Sequence, residues 1–317
     1  MTAQQVVRVG FFANITHAQA LVGRAQGSFD RALGPTVHID WKAFNAGPSA
    51  IEALFSNAID LAYIGPSPTI NGYSQSHGEA LRVIAGASSG GASLVVRSGA
   101  NISKAQDFHG KRIATPQLGN TQDVALRSWL HANGLNTVDK GGDVQVIPTD
   151  NPNQLPLFLS GRLDAAWAPE PWATRLVHDA HATVFLDERK LWPDGKFVAA
   201  HLIVSTSFLR SHPDLVKKWL RAHVEVTEWI NAHPDEARTT LNEQILKLTG
   251  KTLPAVELNE AFGHLTITYD PLRASLLTSA QHSFDAGFLR RTPDLSNLYD
   301  LTLLNQVLTE KRKRTIE

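Results

Sequence analysis

The sequence predicts an α/β protein built as two similar lobes that face each other across a cleft. Three observations carry this expectation. Residues 45–68 read loop, helix, strand, loop, the unit from which parallel sheets are assembled. Residues 153–172 repeat that order, and Asp164 and Trp167 there match Asp60 and Tyr63 in spacing. Thr16-His-Ala-Gln-Ala-Leu21 and Thr121-Gln-Asp-Val-Ala-Leu126 also match, in the same order and at nearly the same offset. All βα units share some likeness, but two ordered matches at nearly one offset indicate a duplicated lobe.

The elements follow from local chemistry. Residues 6–12 form an apolar strand, and Thr16 is placed to cap a helix reaching about residue 33, where Gly34-Pro35 stops it. Residues 37–44 alternate apolar and polar, a second strand. Pro48 suits a first helical turn, and Ile51, Leu54 and Phe55 give that helix an apolar stripe. Residues 59–64 read as a buried strand, Gly65 to Pro68 open a helix near 70–76, and residues 81–87 are a strand. Small residues 88–93 read as a loop, and residues 94–97 as a strand leaving it.

The second lobe starts near residue 98. It holds strands at 113–115 and 144–148, a helix capped by Thr121 that ends at Asn133-Gly134, and the repeated unit. A helix over 172–178, a strand at 184–186 and a turn at 191–195 complete it. Residues 198–205 read as a strand returning to the first lobe. The remainder is helical, with apolar positions Leu215, Trp219, Leu220, Val224 and Ile230 on one face of a long helix. The expected division is residues 1–97 with 205–317 as one lobe, its helical tail packed on it, and 98–204 as the other. Crossings near 95–98 and 204–206 would hinge them.

Composition narrows the function. The 317 residues suffice for two domains, and 43% hydrophobic with 19% charged residues is globular. A formal net charge of zero gives no bulk attraction to nucleic acid or membrane lipid. The absence of Cys excludes thiol catalysis, thiolate metal sites and disulfides. Nothing resembling a signal peptide precedes Val6, so Met1-Thr-Ala is expected to be either an introduced start or that of a trimmed precursor.

Several runs carry a family resemblance: Val9-Gly-Phe-Phe-Ala-Asn-Ile-Thr-His-Ala-Gln-Ala-Leu21, the Asn-Ala-Gly-Pro-Ser-Ala run from Asn45, Asp107-Phe-His-Gly-Lys-Arg-Ile-Ala-Thr-Pro, Gly119-Asn-Thr-Gln-Asp, and Pro169-Glu-Pro-Trp172. Together they resemble the nitrate/sulfonate/taurine family of ABC-importer substrate-binding proteins, over most of the chain from Val7 to about Asn231. The resemblance implies a type II periplasmic-binding-protein fold, with two α/β lobes, two hinge crossings and a ligand in the cleft. It further implies a periplasmic or lipid-anchored protein handing a small anionic solute to a membrane permease; a monomer without cofactor or metal is expected. The Glu-Pro-Trp loop is shared with nitrate-like members, while the general layout is nearer to aliphatic-sulfonate binders.

Candidate ligand residues sit where strands give way to helices. Thr16 and His17 follow the first strand, Ser49, Gly65 and Ser67 the next helix starts, and Thr121 and Gln122 the matching loop of the second lobe. Hydroxyls and backbone N–H groups at such starts cradle a sulfonate or carboxylate without Arg. Ser93 is expected to line the cleft from the small-residue loop. Trp172 either walls the pocket or packs between helices. Glu170 repels an anion unless it pairs with a ligand amine or with Arg175. His201 is either a core residue or a ligand donor. An aliphatic sulfonate or taurine is the expected solute, with nitrate or bicarbonate as the alternative. The other alternative is a pyrimidine-handling enzyme or binder on the same fold. No Walker loop, G-x-G-x-x-G or G-x-S-x-G is present, and His17, His201 and Glu170 lack a visible catalytic partner.

Overall fold

The computed structural model describes residues 5–317, so the expected introduced or trimmed start at Met1–Ala3 lies outside the described residues. In β1 (Gln5–Phe12) Val7, Val9 and Phe11 sink into one core cluster and Phe12 into another, as side chains of period two must. A 3-10 turn (Ile15–His17) leads into α1 (Ala18–Gln26). The expected single helix to residue 33 is broken at Gly27, whose φ of 65° is left-handed, and resumes as α2 (Ser28–Leu33). β2 (Val37–Phe44), α3 (Gly47–Phe55), β3 (Leu61–Ile64) and α4 (Pro66–Gln75) follow. The expected loop at 88–93 is strand instead: β4 (Leu81–Gly90) runs through Ser88 and Ser89, and β5 (Ala92–Val96) begins just past Gly91. Small residues serve close approach here, since a Cβ on Gly86 would strike the backbone of Asp270.

Next come β6 (Arg112–Thr115), α5 (Thr121–Ala132), β7 (Gln145–Pro148), α6 (Asn151–Leu159), β8 (Ala165–Pro169), α7 (Trp172–Ala180) and β9 (Thr183–Asp187). Two short 3-10 turns over 188–195 lead to β10 (Val198–Ser205). The remainder comprises α8 (Thr206–Ser211), α9 (Pro213–Ala232), α10 (Pro234–Thr249), α11 (Ala255–Gly263), β11 (Leu265–Ile267), α12 (Arg273–Asp285) and α13 (Thr302–Glu310). β11 interrupts the expected all-helical tail.

Two sheets result, in the orders β11-β4-β10-β3-β1-β2 and β7-β6-β8-β5-β9. β2 and β3 run parallel to β1, and β10 runs antiparallel between β3 and β4. In the second sheet β7 and β8 run parallel to β6, while β5 is antiparallel to β8 and β9. The expected crossings near 97 and 204 are displaced. β5 already ladders with β8 and β9, and β10 already ladders with β3 and β4. The chain changes sheets at Gly90-Gly91 and again between Asp187 and Val198. The helical tail also departs from expectation. α11 packs on α7 and α12 on α5, so both reach from the first lobe to the second.

The duplication is visible atom by atom. Asp60 accepts from the backbone N–H of Arg8 at 2.8 Å and from its Nε at 2.9 Å. Asp164 accepts from the backbone N–H of Arg112 at 3.0 Å and from its Nε at 2.9 Å, and each pair spans 52 residues. Tyr63 and Trp167 are fully buried at matching positions of β3 and β8. Each carries its polar tip to a buried partner, His223 Nδ1 at 3.0 Å and Glu188 Oε2 at 2.8 Å respectively. Burial of an aromatic with a polar tip requires such a partner.

Candidate functional site

A small cavity of about 30 Å³, open to solvent on one side, lies between the two sheets. It is built at the carboxyl ends of their strands. Phe12 ends β1, Asn45 follows β2, Gly65 follows β3, Pro116 follows β6 and Pro169 ends β8, and all line it. Ligand crevices of α/β sheets form at this edge. α3, α4, α5 and α6 all start here, through Gly47, the N-cap Gly65, Thr121 and Asn151. The first N–H groups of a helix have no intrahelical partner and point outward along the axis.

The wall is polar but uncharged. Among the described residues lining it, none is Lys, Arg, Asp or Glu. His17 is the ionisable member, and burial pushes it down to about 3, so it is neutral. Its Nδ1 accepts the Phe12 backbone N–H at 3.3 Å, which places the ring proton on Nε2. The imidazole lies against the Phe12 ring, centroids 4.5 Å apart.

The expected site residues divide into two groups. Thr16, His17, Gly65, Thr121 and Gln122 line the cavity together. Gly65 and Thr121 come from opposite sheets and meet so closely that a Cβ on Gly65 would strike Thr121 Oγ1. The others lie elsewhere. Ser49 donates to the Ala46 carbonyl at 2.9 Å and faces an adjoining open groove. Ser67 is buried in the first turn of α4 and does not reach the cavity wall. Ser93 is held in the ladder of β5 between Ala168 and Asp187. His201 is a core histidine, donating from Nε2 to the Pro271 carbonyl at 3.2 Å and pushed down to about 4 by burial.

Trp172 and Glu170 act one step back from the wall. Trp172 Nε1 donates to Asn14 Oδ1 at 2.7 Å and so orients a lining residue. Glu170, 1% exposed, accepts the Thr174 backbone N–H at 3.1 Å and meets His264 Nδ1 at 2.6 Å. It does not pair with Arg175, which reaches Asp179 at 3.1 Å instead. The cap of α5 is also corrected: Asn120, not Thr121, accepts the Asp123 N–H, at 2.9 Å. Asn ranks among the strongest N-caps because its short carbonyl reaches that N–H.

Sequence reasoning missed the amides. Asn14, Asn45, Asn120 and Asn151 all line the cavity, each at a strand-to-helix passage. Their recurrence at those passages was the available signal. Gly91, Pro68 and Ala199 line it through backbone shape and carry no side-chain signal.

Comparison with known proteins agrees with this architecture. Residues 2–245 match the model of the NMT1-like family. The chain is 27% identical over 231 residues to the taurine-binding periplasmic protein of Escherichia coli (strain K12), covering 73% of this chain and 69% of that one. It is 25% identical over 310 residues to a putative aliphatic sulfonates-binding protein of Bacillus subtilis (strain 168), covering 96% and 88%. The alkanesulfonate-binding protein SsuA from Xanthomonas axonopodis pv. citri, solved bound to MOPS, superposes with a TM-score of 0.76 at 19% identity, covering 95% of this chain and 99% of that one. The fold is the expected type II periplasmic-binding-protein fold, and the chain belongs to the NMT1-like family.

Proposed function

We propose that this protein is the extracytoplasmic solute-binding component of an ABC importer, and that it closes on a small oxyanion-bearing solute, an aliphatic sulfonate foremost. The observation that carries the reading is the convergence of four helix starts, α3 to α6, on one uncharged cavity between two sheets. Helix N-termini and hydroxyls stabilise an anion without a counter-ion from the protein. The matched taurine-binding and aliphatic sulfonates-binding relatives support the solute class. The role is capture and release, and the partners are the solute and a membrane permease. The ligand-contacting residues are Thr16, His17, Gly65, Thr121 and Gln122, with Asn14 and Asn151 added. Gly90-Gly91 and the 188–197 return are the hinge.

The test is a thermal-shift panel of alkanesulfonates, taurine, nitrate, bicarbonate and pyrimidines, followed by calorimetry. A ligand that binds only the folded state raises the midpoint by mass action. Thr121→Val removes one hydroxyl with little change of shape, and sulfonate affinity should fall by about tenfold. If a pyrimidine binds and no oxyanion binds below millimolar, the reading is wrong.

A further inference from the structure

The polar atoms of the cavity wall are sorted by the protein's own hydrogen bonds, and the sorting leaves donors facing inward. Each assignment is forced by a group that can only donate or only accept. Trp172 Nε1–H can only donate, so the Asn14 oxygen must accept it, and Asn14 Nδ2 is left without a protein partner among the described residues. The Gln154 amide nitrogen is fixed by the Thr149 carbonyl at 3.1 Å. It also donates to Asn151 Oδ1 at 3.2 Å, leaving Asn151 Nδ2 as the inward group. The Asp123 N–H fixes Asn120 Oδ1, so Asn120 Nδ2 donates to Gln122 Oε1 at 3.0 Å and Gln122 Nε2 remains. The Phe12 N–H on His17 Nδ1 leaves His17 Nε2–H. Asn14, His17, Gln122 and Asn151 are all at most 9% exposed, so these orientations are built into the fold.

From this sorting we infer that the site selects solutes whose buried end accepts hydrogen bonds and rejects solutes that bury an ammonium group. The inference rests on the oxyanion reading and deepens it: it admits an alkanesulfonate and excludes its amino analogue. An ammonium is a donor on every side. Against Asn14, His17, Gln122 and Asn151 it meets other donors, and no lining carboxylate among the described residues balances its charge. The hydroxyls of Thr16 and Thr121 adapt to either role. Asn45 offers an acceptor at the mouth, because its amide nitrogen is engaged by Asp150 at 2.9 Å. Glu170, the acid expected to greet an amine, is committed to His264 and Thr174. Similarity to a taurine-binding relative therefore does not carry that ligand over.

The test compares isosteric pairs by titration calorimetry: 1-propanesulfonate with taurine, and butyrate with 3-aminopropanoate. The methyl-ended member of a binding pair should bind at least about a hundredfold more tightly, because burying an unpaired ammonium is strongly unfavourable. Gln122→Glu and Asn14→Asp keep the internal hydrogen bonds and turn the inward donor into an anionic acceptor. Each should weaken 1-propanesulfonate at least about tenfold and narrow the gap to taurine. Equal or tighter binding of either amino member overturns the inference. If no oxyanion binds but an uncharged acceptor-only solute does, the oxyanion reading falls and the donor-lined wall stands. A panel in which nothing binds overturns both.

Discussion

The carboxylate of Glu170 meets Nδ1 of His264 at 2.6 Å, joining the end of β8 to the start of β11 across the two lobes. Hydrogen bonding to Glu170 raises the His264 pKa above its usual value, with Arg189 opposing and Asp187 assisting. A second bridge, His178 Nε2 to Glu260 at 2.7 Å, joins α7 to α11. Hydrogen bonding to Glu260 raises His178, and Glu257 and Asp179 add to it. Both histidines gain protons' worth of stability when paired, so the contribution is full below about pH 6.5, the free histidine value, and fades as pH rises through the raised values. His17 and His201, held neutral by burial, act in the opposite sense over the same range, so the bridge is read from a variant compared with the parent and not from the parent's midpoint alone. His264→Gln should lower the thermal midpoint more at pH 6 than at pH 8, and so change the difference between the two pH values from that of the parent. An unchanged difference in the variant would remove Glu170 and His264 from the account.

Gly65 and Thr121 set how closely the lobes can approach. Gly65→Ala places a methyl against Thr121 Oγ1, and overpacking of this kind costs about 1–3 kcal/mol. Solute affinity should fall by roughly tenfold to a hundredfold, and the radius of gyration at saturating solute should exceed that of the parent protein. Small-angle scattering and calorimetry read both. An affinity equal to the parent's would show that the two loops do not meet in the bound form.

Trp172 orients Asn14 from behind the wall. Trp172→Phe deletes the indole N–H while keeping an aromatic ring in the core. One neutral hydrogen bond is worth about 1 kcal/mol, so affinity should fall about fivefold with a small loss of stability. If stability drops and affinity does not, Trp172 is a packing residue only.

Asp164 answers Arg112 and Arg97 at the base of the second lobe, at 2.9 and 3.3 Å. Asp164→Ala leaves both guanidinium groups and the Arg112 N–H short of an acceptor. A loss of roughly 3 kcal/mol is expected, read by chemical denaturation. Asp60→Ala should cost a similar amount through Arg8, because the two pairs are built alike. A loss below about 1 kcal/mol at both sites would mean that solvent replaces the carboxylates freely.

Local chemistry in the sequence determined the elements and their repetition. Apolar runs of strand length, prolines at helix starts and the recurring Asp60 and Asp164 are properties of short windows, and the structure keeps them. It also determined which loops would meet, since strand-to-helix passages of a parallel sheet share one edge. Thr16, His17, Gly65, Thr121 and Gln122 were legible for that reason. Tertiary structure decided what depends on partners far along the chain. Ser88 and Ser89 become strand because β10 and β11 ladder with them. Glu170 turns from a candidate ligand group into a bridge because His264, 94 residues on, reaches it. His201 and Ser93 stay off the cavity wall, held inside the sheets where His201 pairs with Ile64 and Ser93 with Ala168. The direction of each amide followed last. Asn and Gln carry a donor and an acceptor on one planar group, and only the fixed donor or acceptor behind it decides which end the solute meets.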